Sequence, residues 1–120
     1  MTGPEKIARM QKALQWGGNT HDVASVVAML KAGRARLWEN EAGVIITEFE
    51  EYPLMKTVRF WLIFGELKHC LALEDDILAD AIGQGCTMAV ATGRKGWQRA
   101  AAPTGWLPWH HNFYKPLVAR

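Results

Sequence analysis

Apolar residues recur along this chain in two rhythms, one of three to four residues and one of two, and the switches between them mark out its elements. Ile7, Met10 and Leu14 return at helical spacing between Pro4, at a first-turn position, and the pair Gly17-Gly18, which predicts a short amphipathic helix. A second helix is predicted with Thr20 as N-cap, Asp22 in its first turn and Val23, Val26, Val27 and Leu30 as its apolar stripe, stopping at Gly33. The period then falls to two. Residues 35–39 and 44–50 flank Asn40-Glu41-Ala42-Gly43 and predict two strands joined by a tight turn, with Leu37, Ile45 and Phe49 pointing inward. Tyr52-Pro53 breaks that pattern. Residues 57–64 follow, where only Arg59 interrupts Val58, Phe60, Trp61, Leu62, Ile63 and Phe64, the composition of a central strand covered on both faces.

Between residues 66 and 82 the helical rhythm returns as one long helix. Leu67, Cys70, Leu71, Ile77, Leu78, Ala81 and Ile82 share one face, Lys68, Asp75, Asp76 and Asp80 largely the other, and Gly83 and Gly85 end it. With the apolar run 86–91 as a strand, this makes a βαβ unit whose strands are parallel neighbours joined by a right-handed crossover. A short helix from Gly96 to Pro103 comes next, and the aromatic tail from Gly105-Trp106 to Leu117 is predicted as a final strand with room for a second. The fold class is therefore α/β (α+β) with a mixed central sheet. No repeat or linker divides the chain, so residues 1–120 form one domain, with residues 1–18 expected to detach at the Gly17-Gly18 hinge and dock on a neighbour.

Composition narrows the picture. A chain of 120 residues, 49% of them hydrophobic, holds one core and is too small for two. The formal charge is +2, and the basic residues are scattered, the nearest to clusters being Arg34 with Arg36 and Arg94 with Lys95 and Arg99. These read as a solvated face, with no electrostatic case for nucleic acid or a membrane surface. Cys70 and Cys86 lie in apolar stretches and read as structural thiols, consistent with a reducing compartment. No apolar run approaches the roughly 18 residues of a membrane span, and no leader-like segment opens the chain.

The candidate chemistry is sparse. Glu48, Glu50 and Glu51 are carboxylates of the type a general base requires, and Glu48 and Glu50 share one strand face; a solvated edge that deters pairing accounts for them equally. His69 near the start of the long helix reads either as a base or as a surface residue. His110-His111 cannot converge on one metal ion from adjacent strand positions. Gly93-Arg94-Lys95-Gly96 precedes a helix, where amides and basic side chains grip phosphate, but it lacks nucleotide-loop spacing and reads as a turn. The six tryptophans are harder to place. Trp97, Trp106, Trp109, Phe113 and Tyr114 crowd the last quarter, more aromatic surface than one edge strand hides, and are the expected interaction residues.

The closing run Thr92-Gly93-Arg94-Lys95-Gly96-Trp97-Gln98-Arg99, then Gly105-Trp106, then Lys115-Pro116-Leu117, together with the element order, resembles the GNAT acetyltransferase superfamily. More specifically it is similar to the small GNAT-like proteins of tailed bacteriophages. The resemblance spans about residues 20 to 118 and implies the GNAT-like fold, with acetyl coenzyme A held on bare amides between central strand and long helix. The matching stretch here is Phe64-Gly65-Glu66-Leu67-Lys68-His69, with one glycine and an acid where the diphosphate sits in the family. The family's acid, a tyrosine in the helix after the later strand, has no counterpart, since the only tyrosines are Tyr52 and Tyr114. The expectation is a non-catalytic component of a phage particle, without cofactor, made in the host cytoplasm and touching other virion proteins or copies of itself. The alternative is a small acetyl-coenzyme-A-dependent N-acetyltransferase with a divergent loop, using Glu48 or His69 as base.

Overall fold

In a computed structural model, which describes residues 1–93, 95–110 and 112–117 but not the Lys95 side chain, two helices lead into a four-stranded sheet whose strand order follows the chain. Helix α1 (Gly3–Trp16) carries Pro4 at its start, is capped by the Thr2 hydroxyl and ends at Gly17. Helix α2 (Val23–Lys31) is capped by Asp22 rather than by the expected Thr20. The Asp22 carboxylate accepts from the Ser25 amide at 2.7 Å while the Ser25 hydroxyl faces the Asp22 amide, a reciprocal box that the threonine, occupied with His21 Nδ1 at 2.8 Å, does not form.

Strands β1 (Arg36–Glu39), β2 (Gly43–Tyr52) and β3 (Met55–Gly65) are antiparallel, and β4 (Met88–Ala91) lies parallel to β3. The turns fall where Asn40–Gly43 and Pro53 predict them. Asn40 makes the first turn itself, its Oδ1 accepting from the Gly43 amide at 2.9 Å. Helices α1 and α2 cover one sheet face, burying Met10, Leu14 and Val26 against Val44, Ile46, Leu62 and Phe64. The crossover helices α3 (Leu67–Leu71) and α4 (Glu74–Gly83) cover the other, where Cys70, Leu73, Ile77 and Ala81 meet Ile45, Val58 and Phe60. The double covering of β3 is what its nearly unbroken apolar run requires. Of the inward candidates Ile45 is buried, while Leu37 lies on the edge strand and Phe49 near the hairpin tip, both beyond the helices and exposed.

Three further features depart from the sequence reading. The long helix is broken after Leu71. In an unbroken helix the Leu73 amide would donate to the His69 carbonyl, but that oxygen accepts Asn40 Nδ2 at 2.7 Å, and Leu73 turns to Cys70 O instead, at 3.1 Å. The pairing of β2 with β3 slips between Ile46↔Leu62 and Thr47↔Phe60, leaving Trp61 as a bulge; Trp61 and Leu62 then both pack toward α1 and α2. The expected terminal strand does not form among the described residues: α5 (Lys95–Ala101) and one 3₁₀ turn (Ala102–Thr104) lead to Gly105, at φ 100°, and the tail beyond Trp106 runs without a ladder. Pro108 and Pro116 each lack the amide that a ladder needs.

Candidate functional site

The bulge at Trp61 and the shortness of β4 open a wedge in the sheet. Strands β3 and β4 pair from Thr57↔Met88 to Phe60↔Ala91, after which β3 runs on to Gly65 while the other chain turns away through Thr92-Gly93 into α5. The resulting cleft, about 1880 Å³ and open to solvent, is bordered by Trp61, Ile63 and Phe64 on one side and Val90, Trp97 and Trp106 on the other.

On the face covered by α1 and α2, β2 alternates Val44, Ile46, Glu48 and Glu50, so the face turns polar where the helices end. Glu48 lies opposite Arg59 and accepts its Nη1 at 2.9 Å. Glu50 lies opposite Thr57 and accepts the Tyr52 hydroxyl at 3.2 Å, a bond that, with the negative charge, raises the tyrosine above its ordinary range. Thr57 also lines the cleft, and its buried Oγ1 has no hydrogen-bond partner among the described residues. His21, from the segment joining α1 to α2, meets the Trp61 ring edge-on at 4.8 Å and walls this floor.

At the upper end of the wedge, the bend after β3 is filled by its own backbone. Gly65 sits at φ +116° so close to the first hairpin turn that a Cβ would fall 2.2 Å from Ala42 O. The Glu66 amide donates to that same carbonyl at 2.7 Å, and a Cβ on Gly43 would meet Cys70 N at 2.8 Å. Glu66 occupies the N-cap of the five-residue α3 without capping it, its carboxylate 3.5 Å from His69 Nε2.

The other sequence candidates scatter. Glu51 pairs with Lys56 at 3.6 Å, and His110 stacks on Trp109 at 4.6 Å between centroids. Arg94, His111 and the Lys95 side chain lie outside what the structure describes, and no group of three metal-ligating side chains occurs among the described residues. Of the five aromatic interaction candidates, Trp97 and Trp106 are half-buried on the α3/α4 face, whereas Trp109, Phe113 and Tyr114 are exposed. The residue that sequence reasoning missed is Glu74. It lies on the apolar stripe of α4, buried, and receives both Trp106 Nε1–H and the Thr104 hydroxyl while Trp106 packs edge-on against Phe60. An acid on the core-facing period of a helix is the sequence signal that marks such a latch.

No family model matches the chain, and no curated protein matches it. Solved structures do. The fold is GNAT-like. A probable acetyltransferase superposes with a TM-score of 0.72 at 10% identity, covering 98% of this chain and 93% of its own. A Trypanosoma brucei acetyltransferase gives 0.68 at 8% identity over 97% and 96% of the two chains. A GCN5-related N-acetyltransferase from Ralstonia eutropha JMP134 gives 0.66 at 20% identity over 94% and 91%. At these identities the likeness establishes the GNAT-like fold alone, since one scaffold hosts many chemistries.

Proposed function

We propose that this chain is a protein-binding module that keeps the GNAT-like scaffold without its acetyl transfer. The reading rests on one observation, the bend at Gly65-Glu66. A diphosphate needs bare amides facing outward and no like charge beside them. Here the first amide after the glycine is spent on Ala42 O, the glycine's open face is pressed on the first hairpin turn, and the Glu66 carboxylate stands at the mouth of α3. These residues do not fit coenzyme A. The carboxylate best placed to act as a base, Glu48, is held by Arg59.

The closing motif's similarity to phage GNAT-like proteins makes the partners, in this reading, other proteins of a bacteriophage particle, and the particle its place of residence. The acetyltransferase reading is favoured instead by the open wedge and by neighbours named as acetyltransferases. Calorimetric titration with acetyl coenzyme A separates the two: absence of heat at about 1 mM ligand is expected, and a saturable signal overturns the binding-module reading. Mass spectrometry of purified particles tests the second half, since a particle lacking this chain removes the virion assignment.

A further inference from the structure

We propose that the C-terminal segment docks this chain on an anionic lipid surface, with Phe113, Tyr114 and Leu117 seated at the headgroup level and Lys115 among the lipid phosphates. The inference goes beyond the binding-module reading and does not depend on it. Its first observation is a division that the formal charge of +2 conceals. Residues 1–80 hold all twelve acids and nine of the fourteen basic residues, whereas residues 81–120 hold Arg94, Lys95, Arg99, Lys115 and Arg120 and no acid, a split of −3 against +5. The second is that the described cations of that segment are free. Arg99 and Lys115 are exposed, with no carboxylate within 4.0 Å among the described residues, while Lys6, Arg36, Lys56 and Arg59 in the first part are all paired. The third is that the same segment leaves its large apolar side chains in water, Leu107, Trp109, Phe113, Tyr114 and Leu117 being 71–94% exposed.

Free positive charge and exposed apolar surface coincide in this segment. The exposed apolar cluster at the β2–β3 hairpin tip, Phe49, Tyr52, Leu54 and Met55, instead has Glu50 and Glu51 beside it, which an anionic surface repels. The acid hydrogen-bonded to the segment, Glu74, is buried beneath Trp106 and fixes its root on the body. Residues 105–110 and Asn112 border the cleft of their own copy, which leaves 113–117 as the part that stands clear. A lipid surface accommodates all of it. Rings and leucines both gain by leaving water at the boundary between headgroups and acyl chains, and lysine adds attraction to the phosphates. A single-stranded nucleic acid would stack on the rings and leave the leucines in water. The segment goes no deeper than the headgroups, because beyond Trp106 its described backbone forms neither ladder nor helix and its amides need water.

Vesicle flotation tests it. The full chain is expected to bind phosphatidylcholine vesicles containing about 30% phosphatidylglycerol roughly tenfold more tightly than pure phosphatidylcholine, and to lose that margin at about 0.5 M salt, where exposed charges are screened. Two variants remove the apolar contact: one lacking residues 109–120, which keeps the Trp106 anchor, and a full-length chain carrying Phe113→Ser with Tyr114→Ser. Each is expected to weaken binding about tenfold or more with an unchanged far-ultraviolet spectrum. Lys115→Glu is expected to weaken binding to the anionic vesicles roughly tenfold and to leave binding to the neutral ones unchanged. A full chain that does not float with anionic vesicles, a truncated chain that floats equally well, or equal binding to neutral vesicles overturns the proposal. Fluorescence anisotropy with a labelled oligothymidylate of about twenty nucleotides reads the competing partner: an oligonucleotide bound by the full chain and not by the truncated one, with no flotation, overturns the proposal and assigns the segment to nucleic acid.

Discussion

Gly65 is the position where one atom decides most. Its φ of +116° lies where a β-carbon is strained, and the added atom would stand 2.2 Å from a carbonyl oxygen that belongs to a rigid turn and cannot swing aside as a side chain can. Gly65→Ala is expected to lower unfolding free energy by about 2–4 kcal/mol in urea titration, part from the dihedral and part from forcing the Ala42 turn off α3. A second single-residue expectation concerns acid stability. The hydroxyl and amide of Ser25 hold the Asp22 carboxyl below its ordinary 3.8, so the folded chain keeps this group ionised to lower pH than the unfolded chain does. The capping contribution is thus fully present above pH 3.8 and is lost as pH falls through the depressed folded value. Asp22→Ala should destabilise at neutral pH and flatten the acid limb of a stability-versus-pH curve, whereas Thr20→Ala should leave that limb unchanged.

At the scale of elements, local signals placed most of the architecture and long-range ones corrected it. Gly17, Gly33, Asn40–Gly43 and Pro53 mark real boundaries because each acts through its own backbone preference. The break between α3 and α4 was illegible because its cause sits about thirty residues away, in the Asn40 amide that takes the His69 carbonyl. Asn40→Ala removes that competitor together with the bonds holding the first hairpin turn, and should cost about 1–3 kcal/mol. Exchange of the Leu73 amide then reports whether its donor moves to His69 O: slower local exchange is expected once the helix becomes continuous. The site was legible in the same uneven way. Alternation put Glu48 and Glu50 on one face, but the cross-strand register that hands Glu48 to Arg59 and leaves Glu50 to Tyr52 depends on a bulge at Trp61 that no local pattern announces. Among the described residues the terminal strand does not form for a related reason, since aromatic content alone does not supply the amides that Pro108 and Pro116 withhold.

For the whole molecule the question is whether the two layers flanking the sheet are separable. The Gly17-Gly18 pair and the amphipathic pattern suggest a helix free to leave, yet α1 is tied down in three chemically different ways. Met10 and Leu14 are buried beneath it against Val26, Ile46 and Leu62; Lys6 bridges Glu39 at 3.1 Å; and the amino terminus donates to Glu41 O at 3.1 Å. The exposed ion pair and the terminal contact together contribute little, on the order of 1 kcal/mol at most. Burial of the two side chains is worth about 3–6 kcal/mol, a large part of what a domain of this size has in hand. Removing residues 1–18 would therefore do more than release a docking arm. It would uncover Val44, Ile46, Leu62 and Phe64, on the face opposite the α3/α4 core. The truncated chain is expected to melt well below the full chain and to bind a hydrophobic dye at room temperature, while the α3/α4 half keeps the burial of Ile77 and Cys70. A truncated chain with an unchanged melting temperature and no dye binding would show that α1 rests on the sheet without supporting it.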